Sequence, residues 1–344
     1  MMKYVLNTYI YNHYYLYISM DTSLINTSLY NALQNFSNIP YDVNISAATI
    51  TCQLPILINV ENIGLYFNDF DSIIVGKKYG TRIINNLVNV KRMKSMKKKK
   101  KKTKKNFFNQ VSIIVRTCTL MGLKPEDVSL KDSLKTVNIK LFLNGSIQMT
   151  GCKHIININK SLELLFEKLK EVKVILNDSL EYIEKPFVED SSKLYLKYIR
   201  NFCIQMINTN FNMDFQINRT ILYDLLVNKK INDYKKDNDT LIKANLDKLE
   251  VILKDLNLDV TFDPIIHACV NIKYYLKNNK TKTISIFVFE SGSITIAGAN
   301  SSDEILEVYD FINKFILINY NKLSTKNITP TLIIDFIKKI NFNA

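Results

Sequence analysis

Residues able to do acid, base or metal chemistry are few in this chain and stand apart. The three histidines, His13, His154 and His267, are isolated, and no HExxH or paired Cys/His spacing exists. His267-x-Cys269 offers at most two metal ligands on one strand face. Asp69-x-Asp71 and Asp237-x-Asp239 suit a divalent ion only in principle, because both lie in polar helix-end or loop sequence where solvated acids are usual. No GxGxxG or GxxxxGK[ST] run is present to cradle a nucleotide. The five cysteines, Cys52, Cys118, Cys152, Cys203 and Cys269, are odd in number, far apart and free of CxxC pairs, the pattern of reduced thiols. A non-enzyme is expected, with no catalytic residue, metal, cofactor or small-molecule substrate.

Two other features do carry chemistry, and the first is charge. The segment Lys91 to Lys105 holds eleven basic residues and no acid, so the rest of the chain carries only +3 of the net +14. Its centre, Lys97, Lys98, Lys99, Lys100, Lys101 and Lys102, is uninterrupted. Such self-repelling charge stays solvated rather than entering a core. It attracts polyanions, by counterion release from nucleic acid or by contact with acidic lipid. A nuclear-import signal, an RNA tether and a plain solvated insertion fit the run as well.

The second feature is a repeated glycine turn. Only eight glycines occur, and four of them fall in two matching segments, VNIKLFLNGSIQMTGCK from Val137 and ISIFVFESGSITIAGAN from Ile284. At a constant offset of 147 residues, Phe142 pairs with Phe289, Gly145 with Gly292, Ser146 with Ser293, Ile147 with Ile294 and Gly151 with Gly298. Each segment reads as a β-hairpin with a glycine turn.

An amphipathic helix follows each hairpin. The first spans about Lys160 to Leu176, with Leu162, Leu165, Phe166, Leu169 and Val172 in its stripe. The second has Ser302 as N-cap and Ile305, Leu306, Tyr309, Ile312 and Ile316 in its stripe. Alternating stretches lie upstream, from Asn44 and Phe108 in one half and from Ile204 and His267 in the other. The layout predicts an α+β fold, an antiparallel sheet with helices on one face.

Alternation assigns the two faces. Val111, Ile113, Val115, Ile139, Leu141, Leu143, Ile147 and Met149 point inward in the first half, and Ala268, Val270, Ile272, Ile286, Val288, Ile294 and Ile296 in the second. The opposite faces carry Phe108, Gln110, Ser112, Arg116, Asn138, Lys140, Phe142, Gln148 and Thr150, and His267, Cys269, Asn271, Lys273, Ser285, Phe287, Phe289, Thr295 and Ala297. Phenylalanine on a polar, neutral-to-basic face beside a glycine turn marks a contact surface.

The full 344 residues, 47% apolar with 19 Tyr and 18 Phe, suffice for packed cores. No apolar run approaches the roughly 18 to 20 residues of a membrane span, so a soluble, intracellular protein without a membrane partner is expected. Residues 1–40 form an N-terminal extension, 41–176 the first repeat with its basic insertion at about 77–107, and 177–200 a linker. Residues 201–320 form the second repeat with a helical insertion at about 229–259, and 321–344 a C-terminal helical segment.

FLNGSIQMTGCK and FESGSITIAGAN resemble the doubled F-x-S-G-K-x-x-x-T-G-A-K hairpins of the TATA-box-binding protein family. FDPIIHACVNIKY from Phe262 is similar to that family's Y-E-P-E-L-F-P-G-L-I-Y-R-M, and the stretch from Ile204 to its second-half first strand. The composition and insertions look like the divergent relatives of large DNA viruses. The resemblance implies two pseudo-symmetric repeats forming a curved β-sheet saddle, helices on its convex face and its concave sheet in a widened minor groove. It places Phe142 and Phe289 at intercalating positions, Phe108 (with Phe107 as alternative) at a further one, and His267 where the last would stand. Thr150 and Lys153 match the hairpin Thr and Lys, replaced by Ala297 and Asn300 in the second copy. Gln148 and Thr295 take the place of small groove contacts, Lys140 and Phe287 that of an apolar residue, and Asn44 and Asn208 are candidates for the central asparagines. The resemblance further implies double-stranded, A/T-rich DNA as ligand, a transcription factor IIB-like protein and RNA polymerase as partners, and a host nucleus or cytoplasmic viral factory as compartment. The alternative is a scaffold for proteins in a viral transcription complex, without sequence-specific DNA binding.

Overall fold

The computed structural model describes residues 38–85, 108–120, 122–129, 134–153, 155–228 and 257–325. The basic run, most of the helical insertion, the C-terminal segment 331–342, Phe107, His13, His154, Asp237 and Asp239 lie outside them. Two compact units divide the chain: Ala47–Met206, and Asn38–Ser46 with the residues from Ile207 onward.

The first unit holds most of β1 (Asn44–Gln53), then α1 (Val60–Tyr66), β2 (Ile74–Tyr79), β3 (Arg82–Asn85), β4 (Gln110–Arg116), β5 (Thr136–Phe142), β6 (Ser146–Cys152) and α2 (Ile155–Leu169). It closes with the β7 (Val172–Leu176) and β8 (Tyr182–Pro186) hairpin. The second holds the later part of β9 (Arg200–Asn212), from Ile207, then α3 (Arg219–Asn228), β10 (Leu258–Thr261), β11 (Cys269–Tyr275), β12 (Thr283–Phe289), β13 (Ser293–Ala299) and α4 (Ser302–Ile318). The strand order is β1-β6-β5-β4-β2-β3 in one and β9-β13-β12-β11-β10 in the other. All pairings given by these orders are antiparallel. The fold is therefore α+β, with one sheet plan used twice.

Register follows from burial. Val111, Ile113, Val115, Ile139, Leu141, Ile147 and Met149 are all buried, as are Leu162, Leu165, Phe166 and Leu169 of α2. A slip of one residue in all three strands would turn these seven strand side chains to water at ~1.5–3 kcal/mol each, comparable to a domain's whole net stability. The hairpin turns add a second constraint. Gly145 and Gly292 have φ of +81° and +84°, and a Cβ there would stand 2.4 Å from the Leu54 and Ile56 carbonyl oxygens, or 2.1 Å from that of Phe215. Only glycine fits both the left-handed backbone and that contact.

Several sequence expectations need correction. Leu143 lies in the turn rather than the strand and is exposed, and Ala268 is exposed because β11 begins only at Cys269. Ser112 is buried, its short side chain flanked in register by Lys78 and Lys140. The first post-hairpin helix ends at Leu169, and the β-branched VKVIL that follows is strand β7, so Val172 leaves the helical stripe. The N-cap of α4 is Ser301, whose hydroxyl accepts from the Glu304 N–H at 3.3 Å, and Leu306 faces outward. The segment 77–85 is not insertion: it completes β2 and forms β3, and Lys77 is buried.

Candidate nucleic-acid interface

The face of each sheet away from its helices is built from the alternate residues of the strands. In the first unit, the hairpin register sets Lys140 beside Gln148 and Asn138 beside Thr150, while β4 brings Gln110 opposite Phe142. These side chains are half-buried, as is Arg116. Thr51 and Gln53 of β1 extend the row, and the Gln205 amide donates to the Thr51 hydroxyl at 2.8 Å. A shallow depression of about 390 Å³ lies here, lined by Phe142, Gln148, Ser146, Thr51, Gln53 and Asn201 among others. Lys153 follows β6, half-buried, with its N–H donating to Asn157 Oδ1 at 3.4 Å.

In the second unit, β12 lies between β11 and β13, with Asn271 and Thr295 on either side of Phe287, Cys269 opposite Phe289, and Ala297 opposite Ser285. All are half-buried, and Lys273 is exposed beside them. Asn208 lies on β9 and Asn44 at the exposed start of β1; the Asn208 carbonyl accepts from the Ser46 hydroxyl at 3.0 Å. The carboxamide oxygens of Asn138, Asn208 and Asn271 are buried without a donor. Each unpaired oxygen costs ~1–3 kcal/mol that a bound donor would relieve.

The turns entering β4 and β11 complete the two faces differently. Phe108 is 58% exposed, stands edge-on to Tyr79 at 5.6 Å between ring centroids, and leans on Gly80, where a Cβ would lie 2.4 Å from its ring. His267 is exposed but turned into its own loop, its Nδ1 accepting from the Asp263 N–H at 3.1 Å. Arg219 donates to the His267 carbonyl at 3.1 Å and pairs with Glu290 at 2.9 Å. The apolar groups that this loop presents are Ile265 and Ile266, 92% and 74% exposed. Sequence reasoning missed them, although FDPII, two β-branched residues after an Asp-Pro turn, contained the signal. Elsewhere, burial pushes the Cys52 and Cys152 thiols up to about 12, so neither is a nucleophile near neutrality. Among the described residues no three His, Cys, Asp or Glu side chains gather where they could hold a metal.

Comparison with known proteins decides the family. A protein named TATA-box-binding protein-like, from Acanthamoeba polyphaga mimivirus, is 32% identical over 305 residues, covering 88% of this chain and 73% of the relative. The chain belongs to the TATA-box-binding protein-like family. A solved structure described as Methanococcus jannaschii TBP matches with a TM-score of 0.37 and 12% identity over 79% of this chain and 95% of its own. No family model matches the chain. Within the TATA-box-binding protein-like family, this chain brings together on each sheet the hydroxyl, amide and phenylalanine side chains that its sequence assigns to the open face. The basic run lies outside the described residues, and no helix among those described is long and apolar enough to cross a membrane.

Proposed function

We propose that the chain is a non-enzymatic transcription initiation factor whose two open sheet faces bind the minor groove of A/T-rich duplex DNA and bend it. The observation carrying this reading is the twice-repeated face on which Phe142 and Phe289, each three residues before a hairpin glycine, stand among Thr, Gln and Asn side chains. The minor groove offers a degenerate pattern, so its binders pair a few amide or hydroxyl contacts with apolar wedges that unstack a base step; the TATA-binding protein is itself a standard example of this mode. Lys140, Arg116 and Lys273 supply charge at the same faces, and the lysine run adds affinity without reading bases. A viral transcription complex with a transcription factor IIB-like protein and RNA polymerase is the setting we infer from the mimivirus relative, in a host nucleus or viral factory. The scaffold reading draws support from His267, which is turned into its own loop where an exposed wedge is expected.

The test is energy transfer between dyes on the ends of an A/T-rich duplex. The double variant Phe142→Ala with Phe289→Ala is expected to lose most bending while keeping salt-sensitive binding, because unstacking costs a few kcal/mol per step and nothing then offsets it. Both rings are half-buried on the open face, so the thermal melt should fall only modestly. A parent that never bends the duplex leaves the scaffold reading in its place.

A further inference from the structure

The two sheets differ along one row of matched positions, and the difference is charge. Across the first sheet the register runs Lys78, Ser112, Lys140, Gln148, Thr51, from β2 through β4, β5 and β6 to β1. Across the second, from β10 to β9, it runs Thr261, Asn271, Phe287, Thr295, Asn210. Lys140 and Gln148 match Phe287 and Thr295 at the offset of 147 residues. The first row thus carries two cations and the second none. Lys273, also on the second face, lies in the next row, opposite Asp259.

Lys140 holds the most constrained place in its row. Its strand is flanked by β4 and β6, so the half-buried side chain stands within the sheet rather than at its rim. On the adjoining positions are Gln110, Asn138, Phe142 and Thr150, none of them acidic. It makes no ion pair among the described residues. An ammonium group has three donors and no acceptor. Held on this face without a carboxylate, it calls for a ligand edge made of acceptors.

On the minor-groove reading, on which this inference rests, base pairs supply such an edge unevenly. A·T pairs show only acceptors in that groove, whereas G·C adds the 2-amino donor of guanine. Runs of A·T also carry the more negative groove potential that draws lysine. Lys140 therefore meets acceptors alone at A·T and a competing donor at G·C. In the second row the Phe287 ring forms no such bond, and the Asn271 and Asn210 carboxamides each carry an acceptor for the guanine amino group. We propose that Lys140 is a specificity-determining residue that makes the first sheet the half requiring A·T pairs, so that on a site whose halves differ the chain sits one way round, with its first unit on the A·T half.

Orientation is the quantity to measure. A dye on Asp178→Cys, exposed in the first unit, is read in the full chain with Cys203→Ser to keep labelling single. The probe is a duplex with one A/T half and one half carrying two G·C pairs, with an acceptor dye at either end. The orientation with the first unit on the A/T half is expected to be favoured about tenfold. Replacing G·C by inosine·cytosine, which lacks only the 2-amino group, should bring the ratio within about twofold of unity. Lys140→Met should do the same, Lys140→Arg should keep the preference, and Lys140→Met combined with Phe287→Lys should reverse it. Both positions are half-buried on the open face, so melts should stay near the parent, and Lys140→Arg with Phe287→Lys carries the test where Lys140→Met melts early. Equal transfer from both ends in the parent, a preference that survives inosine, or one indifferent to Lys140→Met overturns the proposal. Loss of about one unit of salt slope in Lys140→Met with the preference intact also overturns it, by making Lys140 a phosphate contact. A parent that bends the A/T duplex but sits both ways round loses this inference alone; one that neither prefers nor bends it loses the minor-groove reading as well.

Discussion

The two repeats share a hairpin of the same length, turn and glycine placement, yet they approach it through turns of opposite construction. In the first, an aromatic ring projects: Phe108 rests on Gly80 and Tyr79 and keeps over half its surface in solvent. In the second, the residue at the corresponding place is a brace. His267 closes its turn on Asp263, Arg219 ties the same turn to Glu290 and stacks over Phe262 at 5.3 Å, and Ile265 with Ile266 take the outward position. The difference teaches that a duplicated fold holds its hairpins by shared backbone demands, while the tips of its loops are free to change chemistry.

Breaking the tips one at a time tests this most sharply. On the minor-groove reading, each tip helps to open one step, and aromatic Phe108 unstacks bases better than two aliphatic side chains. Phe108→Ala is expected to reduce affinity for a bendable A/T-rich duplex by roughly tenfold, about 1.4 kcal/mol. The Ile265→Ala, Ile266→Ala pair should cost less, roughly threefold. His267→Ala should act through the isoleucines, because it frees their turn without removing an apolar group. Dyes placed at either end of the duplex report each kink separately, and equal losses from the two tips would remove the distinction between them.

A smaller and purely structural contrast lies inside the hairpins. Gly151 and Gly298 are matched and both have positive φ, +87° and +99°. A Cβ at Gly151 would stand 2.7 Å from the Thr136 carbonyl oxygen, but at Gly298 the nearest atom, the Thr283 carbonyl oxygen, is 3.8 Å away. Gly298→Ala therefore carries the backbone strain alone, ~1–2 kcal/mol, and Gly151→Ala adds a clash, for roughly 2–4 kcal/mol. Urea denaturation of the two variants decides it; equal destabilisation means that the sheets differ less than their contacts indicate.

Most of the sheet was legible because period-two alternation and scarce glycine are written into consecutive residues. Phe142, Phe289 and their neighbours on the open face could be placed from the offset of 147 residues alone. What failed were positions decided by contacts distant in sequence. The strand β2 was hidden because its lysines read as the start of the charged insertion, and only the carbonyls of α1 explain why one of them is inside. The role of His267 depends on Arg219, 48 residues earlier. VKVIL continued an amphipathic pattern from α2, and nothing local showed that it pairs with the segment starting at Tyr182.

The last contrast concerns that lysine. Lys77 is buried on β2, and its Nζ donates to the Phe67 and Ile63 carbonyls at 2.6 and 3.2 Å at the end of α1, the Ile63 carbonyl also accepting from the Phe67 N–H. The strand β10 of the second repeat carries no buried charge; its Asp259 is exposed and accepts from the Tyr275 hydroxyl. Burial lowers Lys77 from 10.5 to about 8, with the positive charge of Arg82 adding to the effect. Between those two values the folded chain binds fewer protons at this site than the unfolded chain, so this group makes stability rise with pH from about 8 toward 10.5. Cys52 and Cys152, raised by burial to about 12, act in the opposite sense above pH 9, so the parent alone gives a mixed profile. Subtraction of a Lys77→Met variant isolates the site. The parent is expected to gain about 1 kcal/mol on the variant between about pH 8 and 9.5, measured by urea denaturation at constant ionic strength. A pH-independent difference between the two would mean that Lys77 keeps an ordinary affinity for its proton, with the carbonyls of α1 compensating for its loss of water.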